Sequence, residues 1–463
     1  MATTVAPPPP RLIPHVADVR APRWFERLPN WLIAGGSLLV LMGISAVLRT
    51  YFISGQFWMD EAITTGIASH PLDQIPGLLR HDGSPPLFYF LLHFWIQAFG
   101  TSEGATHALT LVFGLLTIPA GMWAGWSLFG RRAGLMAAVL FAFSSWLTAY
   151  AQETRMYELM GLLAIVGAVI LFAPWIPNFI YQAGHTGAPW APPPRFGAPV
   201  LLSRDLIGGD RIMVTLLVAL IIGLAPLFTK RYRRSREATA MWALIVLPIA
   251  TLLLAWLSSQ ITPAFVSRYF APVLPAILLL AAWGASRSGI VGIVALVLSV
   301  VFVAHISSYT PQYKSDMRDI SGEMTPYLHP GDMVVMSQPE QVPLAWYYLP
   351  NGLRFANTLG PQSDPRYFNW VYALRRLRAT KPQSTLAPLL ASLRPGQQVL
   401  YVRPLTEGAH SWQADWTRVV RRRSAQWGAL LAGDPHLQAV AVAPHNYRGV
   451  CCVGDSAILY RVR

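Results

Sequence analysis

Cysteine is nearly absent from this 463-residue chain: the two present, Cys451 and Cys452, are adjacent. Neighbouring cysteines build no long-range disulfide framework, and their spacing matches no zinc motif, so neither kind of staple is expected. Charge is scarce too. Asp, Glu, Lys and Arg make up 13% of the residues, where a soluble globular domain carries about 25%. Residues 1–30 hold a proline run with Arg11, Arg20, Arg23 and Arg27, but lack the short apolar core and small-residue cleavage site of a signal peptide. They read as a cytoplasmic N-terminal tail. No internal repeat is visible, and the less apolar C-terminal part has no glycine-rich, phosphate-cradling loop opening a helix, which argues against nucleotide binding there. The net charge of +14 is gathered in short Lys/Arg clusters between apolar runs. That is the pattern of cytoplasmic membrane loops, so nucleic acid is not an expected partner.

What is present is apolar: 53% of the residues are hydrophobic, arranged in long runs. The expected fold is mainly α, a polytopic membrane protein whose transmembrane domain fills 31–306, with an outer-face loop at 54–104. A small α/β domain outside the cytoplasm follows at 307–463, with strands near 333–336, 399–402, 437–442 and 457–462 and a helix over 342–349. About twenty apolar residues cover the hydrocarbon core. The run 31–53 therefore leaves the cytoplasm. The run 85–99 is only about 22 Å long as a helix and carries His93 and Gln97, so it reads as a juxtamembrane or partly inserted helix. Then 105–129 returns to Arg131-Arg132 and 133–150 exits again. Later, 212–228 enters toward the basic cluster at 230–236, 241–257 exits, 270–285 enters, and 290–306 exits. Between these halves lies a conflict. Both ends of 159–180 are expected outside, so that stretch is either a re-entrant element broken at Pro174 and Pro177 or marks an odd number of missing spans, the alternative favoured here.

The polar clusters lie at the ends of apolar runs, where water begins and where a carboxylate avoids the roughly 2.5–3.5 kcal/mol insertion cost of the bilayer centre. They are Asp60-Glu61, His81-Asp82 before Ser84-Pro85-Pro86-Leu87, Gln152-Glu153-Thr154-Arg155-Met156-Tyr157, and Ser267-Arg268-Tyr269-Phe270. A carboxylate can remove a proton from a hydroxyl, and a guanidinium can hold phosphate oxygens. Blander readings stand beside these. An acidic pair at a helix end also marks solvent, Glu153 with Arg155 can be an anchoring ion pair, and Tyr157 and Arg268 can be interfacial anchors. His81 and Asp82 could bind sugar or, with Asp60, approximate a divalent-metal site, although the spacing is not diagnostic.

Taken in order over roughly residues 25–310, these four motifs resemble the GT-C membrane glycosyltransferases of the protein O-mannosyltransferase and lipid A aminoarabinose transferase type. The resemblance implies a GT-C-like helical bundle that takes a sugar from a polyprenyl-phosphate donor and transfers it, with inversion, to a glycan, lipid or protein acceptor outside the cytoplasm. It implies Asp60 as catalytic base with Glu61 beside it, and substrate contacts from His81, Asp82, Glu153, Arg155, Tyr157, Arg268 and Tyr269. Some branches of the family use a divalent metal; no cofactor is otherwise implied, and membrane lipids are expected partners. The rival expectations are a transporter or lipid-translocating protein, and a GT-C remnant that binds lipid without catalysing transfer.

Overall fold

The computed structural model describes residues 29–166, 173–224, 235–306, 313–406, 412–447 and 453–463. The tail up to residue 28, the basic residues 230–234 and the cysteine pair lie outside the described residues.

The apolar runs form helices because a backbone in lipid must satisfy its own hydrogen bonds. In order they are α1 (Asn30–Thr50), α2 (Met59–Ala68), α3 (Ile75–Asp82), α4 (Pro86–Phe99), α5 (Glu103–Phe129), α6 (Arg131–Ala142), α7 (Ser145–Tyr150), α8 (Tyr157–Val166), α9 (Ile176–His185), α10 (Ala198–Ile207), α11 (Asp210–Gly223), α12 (Arg236–Ser258), α13 (Leu274–Arg287) and α14 (Ile290–Ile306). Among the described residues, Trp31–Thr50, Glu103–Phe129, Arg236–Ser258 and Ser267–Arg287 are long and apolar enough to cross a membrane. The pair α10 and α11, bent by 90° at Gly208-Gly209, makes a fifth if it is one span. α1 and α12 expose Leu39, Val47, Val246 and Leu254, a surface suited to lipid and not to water. The protein is a mainly helical, polytopic membrane protein with a small sheet-containing C-terminal region.

One expectation needs correction. Residues 133–150 are not one span. α6 is about 18 Å long, and the chain breaks after it because the Ser144 hydroxyl caps α7, accepting from the Leu147 N–H at 3.3 Å. Residues 198–207, for which the sequence suggested no element, form α10, whose apolar Val200 and Leu201 are exposed. The stretch 159–180 is described at its two ends only. Tyr157 lies under the Arg155 guanidinium, while Gln182 in α9 donates to the Leu79 carbonyl at 2.8 Å. The middle of that stretch, 167–172, lies outside the described residues.

The C-terminal region runs α15 (Met317–Met324), β1 (Met333–Met336), α16 (Val342–Tyr348), β2 (Arg354–Asn357), β3 (Gly360–Gln362), α17 (Ala373–Ala379), α18 (Pro382–Ala391), β4 (Gln398–Pro404), α19 (Asp415–Ala432), β5 (Leu437–Ala443) and β6 (Asp455–Val462). The sheet order is β3-β2-β1-β4-β6-β5, with β1 parallel to both β2 and β4. All four β1 side chains are buried, as expected of a parallel strand covered on both faces. Alternation sorts them. Met333 and Val335 join Leu386, Leu389, Trp427 and Leu431 in one core; Val334 and Met336 join Ile320, Val342 and Leu344 in another.

That second core also contains Phe57 and Ala62, and α16 of the C-terminal region packs on α2. Contact is close at Gly66, where an added Cβ would lie 1.9 Å from the Arg366 carbonyl oxygen. One turn on, His70 Nε2 is 2.6 Å from Asp364 Oδ2. α2 is therefore held between the helical bundle and the C-terminal region, through α16 and the loop at 364–366.

Candidate active site

α2 starts where the first apolar run ends, and its N-terminus is fixed by the C-terminal region. The Phe57 N–H donates to Tyr348 Oη at 2.8 Å, and Ser315 Oγ donates to the Phe57 carbonyl at 2.7 Å. Successive helical residues diverge by about 100°, so Asp60 and Glu61 face different surroundings.

Asp60 is partly open. Its Oδ2 lies 3.3 Å from Arg268 Nη2, with both side chains 17% exposed. The Arg268 guanidinium lies over the rings of Trp58 and Tyr269, 5.1 and 5.7 Å from their centroids, within cation–π range. Arg155 Nη1 donates to Thr64 Oγ1 at 2.7 Å, to the Asp60 carbonyl at 3.3 Å and to Tyr89 Oη at 3.4 Å. Tyr89 Oη donates in turn to Asp82 Oδ2 at 3.5 Å, which also accepts from Ser84 Oγ at 2.7 Å. Burial pushes the Asp82 carboxyl up, with Arg155 acting against it. Glu153 borders the same group. Burial lifts its carboxyl to about 7, with Lys314 and Arg268 opposing and Glu61 and Asp60 reinforcing the rise. Its Oε2 has no hydrogen-bond partner among the described residues.

Glu61 is fully buried and fully engaged. Oε1 lies 2.6 Å from His107 Nε2 and accepts from the Thr154 N–H at 2.9 Å, Oε2 accepts from the Trp58 N–H at 3.2 Å, and Lys314 Nζ reaches both oxygens. Burial alone would raise this carboxyl, but Lys314 and then His107 outweigh it and hold it at about 2.

The structure thus brings Asp60, Asp82, Glu153, Arg155, Tyr157, Arg268 and Tyr269 into one cluster, with Glu61 behind it. For His81 the backbone carbonyl accepts from the Trp370 N–H at 3.0 Å, and burial, with Arg80 and Arg376, pulls the imidazole down. Among the described residues no three His, Cys, Asp or Glu side chains are grouped to hold a metal ion.

No family model and no curated protein matches the chain. It is similar to two solved structures of ArnT from Cupriavidus metallidurans. The apo state gives 12% identity and a TM-score of 0.47, covering 92% of this chain and 98% of that one. The structure bound to undecaprenyl phosphate gives 10% and 0.42 with the same coverage. At TM-scores below 0.5 these similarities carry no weight for the chemistry of the site.

Sequence reasoning missed Tyr89, His107, Lys314 and the pair Arg49 and Glu158. Arg49 and Glu158 are fully buried and flank Gly114 of α5, where a Cβ would lie 2.8 Å from Arg49 Nη1 and 3.2 Å from Glu158 Oε2. The available signal was an ionisable residue inside an apolar run, which marks a polar partner in the bundle. Lys314 gave no such signal, because it lies just beyond the last run.

Proposed function

We propose that this protein is a membrane glycosyltransferase of GT-C type, which moves a sugar from a polyprenyl-phosphate donor to a hydroxyl of a glycan, lipid or protein acceptor. The observation that supports this reading best is the meeting of one partly open carboxylate, Asp60, with the Arg268 guanidinium, while a second guanidinium, Arg155, donates to the Asp60 backbone carbonyl beside it.

In this mechanism Asp60 takes the proton of the acceptor hydroxyl as its oxygen forms a bond to the anomeric carbon, opposite the phosphate. The anomeric C–O bond to phosphate breaks, its electron pair leaves on polyprenyl phosphate, and the sugar is inverted. Arg268 and Arg155 stabilise the charge that grows on the phosphate oxygens through charge-assisted hydrogen bonds. Entry of that phosphate competes for Arg268 and frees Asp60 for the acceptor. Glu61 touches no substrate in this scheme; it positions Asp60 by pinning the first turn of α2. Asp82, Glu153, Tyr157 and Tyr269 wall the site, and His81 lies at its edge.

A transporter would carry its working groups near the bilayer midplane between repeated halves. The cluster at helix ends favours the enzyme. The proposal also places the N-terminus in the cytoplasm and the C-terminal region outside, because nucleotide sugars are cytoplasmic whereas lipid-linked sugars present outside. The test is reconstitution in proteoliposomes with a panel of polyprenyl-phosphate hexoses and pentoses. Release of polyprenyl phosphate coupled to acceptor glycosylation is expected from at least one; release from nucleotide sugars alone would overturn the reading.

A further inference from the structure

The parallel strands β1, β2 and β4 share one carboxyl edge, where α/β sheets commonly receive ligands. Here that edge meets α2. In the turn after β1, Gln338 Nε2 lies 3.7 Å from the sulfur of Met59, the residue before Asp60. The same nitrogen donates to Glu340 Oε1 at 2.9 Å, and Trp416 Nε1 donates to that oxygen at 2.8 Å. One Glu340 oxygen is thus doubly satisfied.

The other is not. Glu340 Oε2 and Gln338 Oε1 have no hydrogen-bond partner among the described residues, although the two residues are only 2% and 3% exposed. On the neighbouring strand, Asn357 pairs with Met336 at the end of β1 and is fully buried; its Oδ1 accepts from the Leu359 N–H, but its Nδ2 has no partner among the described residues. Leaving such a group unmatched is costly, so each marks a place where a ligand's polar group would be favoured. Two orphaned acceptors and an orphaned donor on one edge match hydroxyl groups, each of which both donates and accepts.

We propose that Gln338, Glu340 and Asn357 form an acceptor subsite that binds neighbouring hydroxyls of a sugar-like group and presents one of them to Asp60. This deepens the glycosyltransferase reading and rests on it for the word acceptor; binding itself does not depend on turnover. The carboxyl of Glu340, raised to about 7 by burial and further by the charge of Asp60, reports the same proximity between the sheet edge and the base.

The experiment uses the full chain in nanodiscs of phosphatidylethanolamine and phosphatidylglycerol, with methyl α-mannopyranoside as the probe and its fully O-methylated ether as the control, read by saturation-transfer NMR. Saturable signal is expected from the glycoside and not from the ether. Glu340→Gln keeps the Trp416 contact but replaces an acceptor by a donor, and Gln338→Met removes the amide at similar size; each should weaken binding about tenfold. Equal binding by wild type and both variants, equal signal from the ether, or no saturable signal would overturn the subsite. Binding lost in the variants with no transfer by the wild type would count against the glycosyltransferase reading alone. Transfer with unaltered binding in the variants would count against the subsite alone.

Discussion

Glu61 and Lys314 are 253 positions apart in the sequence, yet the Lys314 ammonium lies 3.0 and 2.9 Å from the two Glu61 oxygens. The same ammonium donates to the Gln152 carbonyl at 2.7 Å. One side chain at the start of the C-terminal region therefore ties down both α2 and the loop that carries Glu153 and Arg155.

Removing one partner of a buried ion pair leaves an uncompensated charge, which costs about 3–5 kcal/mol. Lys314→Met should lower stability by that order in unfolding measured in detergent. The double variant Glu61→Gln with Lys314→Met should regain much of the loss, because it buries no charge. A single variant as stable as wild type would show that the pair does not hold α2.

Glu153 gives a pH test of known sign. Its folded-state value of about 7 lies above the ordinary 4.5, so the folded protein binds more protons than the unfolded chain between those values. The resulting stability is full below 4.5, falls as pH rises through about 7, and is absent above. Glu153→Gln should change stability little at pH 4.5 and raise it at pH 8, by on the order of 3 kcal/mol. Parallel stability curves for wild type and variant would contradict the half-buried, charge-crowded position of this group, which faces Lys314, Arg268, Glu61 and Asp60.

Much of the bundle was legible because a run of about twenty apolar residues has few alternatives to a spanning helix. α1, α5, α12 and α14 begin and end within a few residues of their apolar runs. α6 was misread because hydropathy does not register a serine cap: Ser144 ends the run locally while its neighbours stay apolar. In the C-terminal region β1 stood out as a continuous apolar strand. β2 and β3, of four and three residues, carry too few side chains for a period to show. The site residues at helix ends were visible as polar breaks. Their mutual contacts were not, since the pairing of Glu61 with Lys314 is set by how the C-terminal region docks on α2.

Arg268 separates a phosphate ligand from an interfacial anchor. Its planar group lies on Trp58 and Tyr269 while reaching Asp60, and a lysine keeps the charge but not the paired donors. Arg268→Lys should weaken use of a polyprenyl-phosphate sugar about tenfold or more. The loss should fall on donor KM if the contact forms in the ground state, or on kcat if it forms as phosphate charge develops. Unchanged kinetics would make Arg268 an anchor and move the phosphate toward Arg155.

The central claim is that Asp60 is the base, and Asp60→Asn tests it most directly because it keeps size and removes basicity. Single-turnover transfer from a polyprenyl-phosphate sugar should be measured in proteoliposomes for wild type and variant, with unfolding curves showing that both are folded. The account predicts a fall of roughly 100-fold or more, the usual contribution of a general base. Transfer at the wild-type rate by the folded variant would contradict it.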